Sequence, residues 1–421
     1  MDGLAKNNAK TIFLVFLISL SIYQIGELWL RDVLSRNFFY TVFADRSTGT
    51  ATDYFMTPSR MLINIGSLRF STIYNPIGHE AKNTADSVLS ALFSSGEFVQ
   101  THEDIDYFAL LSNRSIVYQY RFNMPSVVFA DFFAADEGFF SFLSFNSVVI
   151  IPSDVATNLI HVYFVDNYIM HEFRLISPLH NTLNVQIQNA NREAGTLYYA
   201  SSKLMGFTFE GNIFLPRWPG HTVLIQSMVE SNIGERNISD FFSTPSSVWA
   251  DERDGMFVYS DENQVLRFNT NNTVEYVNYR RSSENSSLAM DFGAAKRFIG
   301  RDTTVVNDIF LARITDMGDV RVFYFDYTIN NFPILLSRGV RENTGLNHAI
   351  EVTVENGVVS RYRKIAYTFE VTPDFVVQRT DALTLINSIG DYNVQDIFFG
   401  YILNSSGEVN LDWLVTYVEQ L

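Results

Sequence analysis

Residues 349–366 read AIEVTVENGVVSRYRKIA, and this stretch decides the fold class. Two runs rich in apolar residues, 349–354 and 358–366, flank the dipeptide Asn356-Gly357. Asn-Gly between such runs is the strongest short-range signal for a β-hairpin, because both residues accept the positive φ of a tight turn. The stretch therefore predicts two antiparallel strands joined by a two-residue turn.

Further strands are predicted on both sides of this hairpin. Residues 256–259, 265–268 and 274–279 are rich in β-branched and aromatic residues. The turn-forming segments Asp261-Glu262-Asn263 and Thr270-Asn271-Asn272 separate them, which predicts an antiparallel meander. The same residue types predict strands at 60–69, 116–122, 148–151, 160–165, 308–314, 321–327, 397–403 and 410–418.

Helices are predicted ahead of the strand runs. In residues 83–95, Ala85, Val88, Leu89 and Leu92 form an apolar stripe at helical spacing, and Gly96 is the predicted stop. Other helices are predicted at 232–242, with its two phenylalanines facing the core, at 288–299 and at 381–389. We therefore predict an α+β fold of antiparallel sheets with helices packed on them.

A long apolar segment, TIFLVFLISLSIYQIGELWL, occupies residues 11–30. As a helix it would cross a hydrocarbon core of about 30 Å. Lys6 and Lys10 precede it, so the positive-inside rule places residues 1–10 in the cytoplasm and the rest outside. The expected protein is a single-pass protein of the cell membrane. The alternative is a cleaved signal peptide with its site at Ser19-Leu20-Ser21, but the apolar run continues well past that site.

One face of the predicted membrane helix carries polar residues. Gln24, Glu27 and Arg31 share this face, and polar groups inside a bilayer often bond to a neighbouring helix. With Leu17 and Leu20, they are the residues predicted to contact a partner helix. In the alternative interpretation, Glu27 and Arg31 reach the outer water.

The polar segment 281–287 (RSSENSS) predicts a linker within the extracytoplasmic body. We expect a multi-lobed body whose α+β domains span 36–175, 176–283 and 284–421, after a tail at 1–10 and an anchor at 11–30. A weak internal repeat supports this division, because each domain places a helix ahead of a run of strands.

Composition excludes several function classes. The 421 residues carry a net charge of −16 and no cysteine. Nucleic acid and anionic lipid are poor partners for such a surface, and neither disulfides nor zinc–thiolate sites can form. Catalytic motifs are absent: the three His-Glu pairs, which start at His79, His102 and His171, do not complete the zinc-protease motif. We expect no enzyme activity, no cofactor and no metal.

Three weaker patterns leave alternatives open. A wall hydrolase with two carboxylates needs no fixed spacing in sequence, and it is the enzyme class that motifs do not exclude. The phenylalanine clusters 129–133 and 139–145 are predicted to be core, with a ligand groove as the alternative. Residues 251–255 (DERDG) mimic the start of a calcium loop, but Arg253 stands where a ligand oxygen is needed, so we predict a hairpin turn.

Several longer phrases are typical of one family. They are FFSTPSSVW at 241–249, GMFVYSDENQVLRFN at 255–269, VEYVNY at 274–279, FYFDYTINNFPI at 323–334 and HAIEVTVENGVVSRYRK at 348–364. With the single anchor and the absence of cysteine, these phrases resemble the YycH (WalH) family of Gram-positive bacteria.

The resemblance implies a membrane-tethered regulator of the WalK–WalR two-component system, which governs cell-wall metabolism, with no catalytic residues. It also implies two partners, a WalK-like sensor histidine kinase and a YycI-like protein, contacted through the membrane helix and the ectodomain. The residues alone leave another reading open: an exported, lipoprotein-like receptor for a peptide or a wall fragment.

Overall fold

The computed structural model shows two large β-sheets with helices packed against them. It describes residues 55, 57–66, 69–73, 79–103, 107–133, 144–166, 169–190, 198–201, 214–216, 222–225, 228–231, 238–242, 247–280, 285–302, 305, 308–329, 332–371, 375–378, 384 and 394–417. The predicted tail and anchor, with Leu17, Leu20, Gln24, Glu27 and Arg31, lie outside these residues. Within them, no helix has both the length and the apolar character that a membrane crossing requires.

The first sheet is built from the N-terminal half of the described chain. Its strands lie in the order β3-β7-β6-β5-β4-β1-β2-β8-β9, and every pair is antiparallel. The elements are β1 (Arg60–Asn64), β2 (Phe70–Ile73), α1 (Glu80–Ser95), β3 (Glu97–Glu103), α2 (Tyr107–Leu111), β4 (Ser115–Pro125), α3 (Ser126–Phe132), β5 (Ser144–Asp154), β6 (Leu159–Val165), β7 (Ile169–Ile176), α4 (Leu179–Ala190), β8 (Tyr198–Ser201) and β9 (Phe214–Pro216).

The second sheet is built from the C-terminal half. Its order is β12-β13-β14-β15-β20-β19-β17-β18-β23-β24-β11-β21, with β16 paired to β17, while β10 and β22 form a separate ribbon. The elements are β10 (Thr222–Ile225), β11 (Met228–Ser231), a 3-10 helix (Ile238–Asp240), β12 (Trp249–Arg253), β13 (Met256–Ser260), β14 (Gln264–Phe268), β15 (Thr273–Asn278), α5 (Leu288–Arg301), β16 (Asp308–Asp316), β17 (Val320–Ile329), β18 (Phe332–Leu336), α6 (Arg338–Thr344), β19 (Ile350–Glu355), β20 (Val358–Ile365), β21 (Thr368–Val371), β22 (Phe375–Gln378), β23 (Val394–Leu403) and β24 (Val409–Tyr417).

The predicted hairpin is confirmed. Asn356 and Gly357 have φ of 48° and 80°, as a tight turn with positive φ at both central residues requires. The turn joins β19 to β20, which pair antiparallel in the middle of the second sheet. The α+β class is likewise confirmed. One pair departs from the antiparallel rule, because β18 runs parallel to β23.

The predicted meander is also confirmed, and it has one strand more than predicted. The DERDG segment forms a hairpin turn at Asp254 and Gly255, whose φ are 50° and 78°. Its first residues belong to β12, which pairs with β13. The meander then joins the hairpin, since β15 pairs with β20. Strands from the predicted central and C-terminal domains thus share one sheet, and the three-domain division stays a prediction.

Helix ends show how local contacts override spacing. Helix α1 begins at Glu80, three residues before the predicted start, because the ring of His79 accepts a hydrogen bond from the Ala81 amide at 3.2 Å. It ends at Gly96 as predicted, although the φ of Gly96 is −74°. A Cβ on this glycine would lie 2.6 Å from the Leu92 carbonyl oxygen, so close approach, and not a left-handed turn, requires glycine here.

The main hydrophobic core runs between the helices and the sheets. Helices α1 and α4 pack side by side against the first sheet, and α5 packs on β17, β19 and β20 of the second. A smaller apolar cluster lies on the other face of the first sheet, where Leu110 and Leu111 of α2 meet Leu62, Val117 and Val149. The predicted helix at 232–242 is described only in part, as the 3-10 helix, but its two phenylalanines are buried as predicted.

Candidate functional site

A polar cluster, here called the Glu172 cluster, lies on the face of the first sheet that carries the smaller apolar core. It consists of Gln100, His102, His161, Tyr163 and Glu172. The Glu172 carboxylate lies 2.7 Å from Nε2 of His102 and 2.9 Å from Nδ1 of His161. The Gln100 amide and the Tyr163 hydroxyl each donate to it at 3.4 Å.

Strand register brings these residues together. Glu172 of β7 lies directly opposite Gln100 of β3 and Tyr163 of β6. His102 lies two residues beyond Gln100 on β3, and His161 lies two residues before Tyr163 on β6. Both histidines are therefore diagonal neighbours of Glu172 on the same face of the sheet. The stacked rings of His161 and Tyr163, 6.0 Å apart, complete the arrangement.

Electrostatics keep the Glu172 carboxylate ionised. Burial alone would raise its pKa, but the hydrogen bonds from His102, Gln100 and His161 together outweigh burial and lower it. The pKa of Tyr163 is raised to about 12, chiefly by burial and then by the nearby Glu172 charge. None of the contacts described for this cluster involves a serine or threonine hydroxyl.

A second polar surface, here called the charged ladder, lies on the outer face of the second sheet. It consists of Arg267, Glu275, Glu351, Arg361 and Arg363. Glu275 accepts from Arg267 Nη1 at 3.1 Å and from Arg361 Nε at 2.9 Å, and Arg363 Nη1 lies 3.5 Å from Glu351. Burial raises the pKa of Glu275, but its two arginine partners outweigh burial and lower it. The ladder is a solvated sheet face whose charges are already paired.

One histidine lies beside this ladder. His348 Nδ1 is 3.1 Å from Asp326 Oδ2, while Asp326 Oδ1 accepts from the Ala349 amide at 3.1 Å. Burial lowers the pKa of His348, but the Asp326 carboxylate overcomes burial and raises it. The arrangement holds the imidazole in place just before β19. Among the described residues, no three histidine, aspartate or glutamate side chains are arranged so that they could hold a metal ion.

A buried ion pair lies on the opposite, inner face of the same sheet. Lys364 Nζ is 2.6 Å from Asp302 Oδ2, and the Tyr362 hydroxyl donates to the same oxygen at 2.8 Å. Both charged side chains are fully enclosed. Each charge compensates the other inside the core, so we expect the loss of either residue alone to destabilise the fold.

The structure tests the sequence-based site predictions only in part. Leu17, Leu20, Gln24, Glu27 and Arg31 lie outside the described residues, and their role stays a prediction. Phe129 and Phe145 are in the core, as predicted for their clusters, and their rings lie 5.1 Å apart. Residues 139–143 are not described.

Sequence reasoning missed the Glu172 cluster. The His102-Glu103 and His171-Glu172 pairs attracted notice only as incomplete zinc motifs. The cluster uses one residue of each pair, because neighbours in a strand point to opposite faces. The available signal was this alternation, but the pairing of β7 with β3 on one side and with β6 on the other could not be read from the sequence.

The chain is similar in fold to one well-covered solved structure. No family model matches the sequence, and no curated protein matches it. Among solved structures, YycH from Bacillus subtilis is similar with a TM-score of 0.59 and 14% identity, over 87% of this chain and 95% of that one.

Two other structures are similar over less of the chain. An uncharacterized protein from Eubacterium rectale has a TM-score of 0.34 and 11% identity, over 49% of this chain and 81% of that one. The C-terminal domain of YpeB from Bacillus megaterium has a TM-score of 0.26 and 13% identity, over 41% of this chain and 79% of that one. Of these three structures, YycH is the one whose similarity in fold extends along most of this chain.

Proposed function

We propose that this protein is a non-enzymatic, membrane-tethered regulator of a sensor histidine kinase that controls cell-wall metabolism. The observation that carries the proposal is the fold shared with YycH over 87% of the chain. The phrases between residues 241 and 364 that resemble the YycH family add support from the sequence.

In this proposal the chain works through contacts. Residues 11–30 anchor it and meet the helices of a WalK-like kinase and a YycI-like protein, through the face of Leu17, Leu20, Gln24, Glu27 and Arg31. The body lies outside the cell and contacts the partners' ectodomains.

The test is a pull-down from detergent-solubilised membranes of the native host with two tagged baits, the full chain and residues 33–421. We expect the full chain to recover a sensor histidine kinase. A comparison of the two baits then separates contact through the helix from contact through the body. If neither bait recovers a kinase, the proposal is wrong, and an exported receptor for a peptide or a wall fragment becomes the leading hypothesis.

A second variant sharpens the result. Replacement of residues 11–30 by an unrelated apolar helix keeps the tether but removes Gln24, Glu27 and the specific helix face. Kinase recovery should fall if the helix carries the contact. Unchanged recovery and unchanged signalling would contradict the role proposed for that face.

A further inference from the structure

Strand β12, residues Trp249–Arg253, is the outer edge of the second sheet. Within the described part of the chain it pairs with β13 alone. All five of its side chains are exposed. An edge strand of this kind presents one row of backbone N–H and C=O groups to any extended chain that can reach it.

Strand β3, at one edge of the first sheet, has an irregularity that β12 lacks. Strand β3 carries a register shift between Phe98 and Gln100, and such a bulge interrupts pairing with a further strand. Its first residue, Glu97, is also tied to Arg174 of β7. Strand β12, in contrast, is in register with β13 at all five positions, so its outer edge, which pairs with no other described strand, is regular.

A large aromatic side chain stands at the start of this edge. Trp249 is 80% exposed, although tryptophan usually buries most of its surface. Exposed tryptophans are enriched among residues that anchor a binding partner, and the indole face attracts cations. Trp249 shares its sheet face with Asp251, two residues along.

The charge around this edge selects the partner. Between Trp249 and Glu262 the chain has five acidic residues against one arginine. The arginine, Arg253, lies 2.7 Å from Asp251. The Asp261 carboxylate accepts hydrogen bonds from two backbone amides. The remaining three acids, Glu252, Asp254 and Glu262, belong to no described ion pair. This short segment is far more acidic than the chain average, and its field favours a basic partner.

We propose that β12 is a docking strand for an extended, lysine- or arginine-rich segment of another protein, which adds to the sheet as a further strand. Backbone hydrogen bonds to the free edge would hold the segment. Its cationic side chains would meet the Trp249 ring and the acidic residues. The proposal goes beyond kinase regulation and does not depend on residues 11–30, so either can fail alone.

A second copy of this chain is the less suitable occupant. Two copies each carry a charge of −16, and antiparallel pairing of β12 with itself about its centre would place Asp251 opposite Asp251. Like charges directly opposite in a sheet are destabilising. The acidity therefore argues for a basic partner and against self-association.

The test uses the full chain in detergent and a fluorescein-labelled peptide of alternating lysine and valine, with a peptide of alternating glutamate and valine as control. We expect the lysine peptide to bind, to weaken as salt rises, and to protect the amides of 249–253 from hydrogen exchange. Trp249→Ala should weaken binding about threefold to thirtyfold, the range of one cation–π contact.

Two further variants control the result. Glu252→Lys should weaken binding by reversing a charge on the strand itself. Phe98→Ala, which removes an exposed aromatic side chain from β3 in the first sheet, should leave binding unchanged. Because Trp249 is exposed, its variant should fold normally, which circular dichroism checks. The proposal is overturned if the lysine peptide does not bind, if the glutamate peptide binds equally well, if Trp249→Ala has no effect, or if the β12 amides gain no protection.

Discussion

Removal of the buried carboxylate of Asp302 should destabilise the protein strongly. The carboxylate lies 2.6 Å from Lys364 Nζ in a site where both side chains are enclosed, and it also accepts from the Tyr362 hydroxyl. Breaking such a pair from one side costs about 3–5 kcal/mol, because the remaining charge keeps its desolvation penalty but loses its partner. Asp302→Ala should therefore lower the free energy of unfolding by about that amount.

The assay is guanidinium unfolding of the full chain, followed by far-UV circular dichroism. The matched control is Glu342→Ala, which breaks the exposed pair of Arg338 and Glu342 in α6 and should cost less than about 0.5 kcal/mol. A double variant, Asp302→Leu with Lys364→Met, should recover most of the loss, since an apolar pair carries no such penalty.

The pH dependence of the Asp302→Ala variant gives a second readout. Burial, the largest effect, already lowers the pKa of Lys364 below its ordinary 10.5, and Asp302 opposes that shift. Without Asp302 the pKa of Lys364 in the folded state should fall further. At any pH between this lowered pKa and the ordinary 10.5 of the unfolded state, the unfolded state binds more protons than the folded state. Stability of the variant should then rise with pH below 10.5. Equal losses for Asp302→Ala and Glu342→Ala, with no such rise, would refute the reasoning.

Three further variants test other parts of the fold. Gly357→Ala should lower the free energy of unfolding by about 1–2 kcal/mol, seen as a lower melting temperature, because its φ of 80° is unfavourable for alanine. Steric overlap adds nothing, since a Cβ there would lie 3.7 Å from Ser286. Glu172→Gln should destabilise the protein at neutral pH, and the gap to wild type should close in acid unfolding as pH falls below the ordinary value of 4.5, since a lowered pKa stabilises only while the group is ionised. Phe129→Ala should cost about 3–5 kcal/mol in denaturant unfolding, because its ring is buried among Phe133, Phe145 and Phe164. A loss below about 1 kcal/mol for Phe129→Ala, or a Glu172→Gln gap that persists in acid, would contradict these expectations.

The parts of the fold that local chemistry determines were predictable from the sequence. The Asn356-Gly357 turn and the meander strands follow from residue types at short range. Helix α5 follows in the same way, with Ser287 as its N-cap. These elements need no knowledge of distant parts of the chain.

Long-range pairing was not predictable. Nothing local indicates that β18 runs parallel to β23, some sixty residues later, or that β3 pairs with β7 to assemble the Glu172 cluster. Strand β7 and helix α4 were missed as well, since the sequence signal of β7 mixes buried and exposed residues without strict alternation. Side-chain clusters made by strand register depend on the whole sheet, and a single sequence does not specify that register.

Regulation of a sensor histidine kinase by this chain can be measured in a reconstituted system. The kinase recovered by the pull-down is placed in proteoliposomes with and without the full-length chain, and its autophosphorylation rate is measured. We expect the rate to change when the full chain is present, and we expect replacement of residues 11–30 by an unrelated apolar helix to reduce the change. An autophosphorylation rate that is the same with and without the chain would contradict the claim.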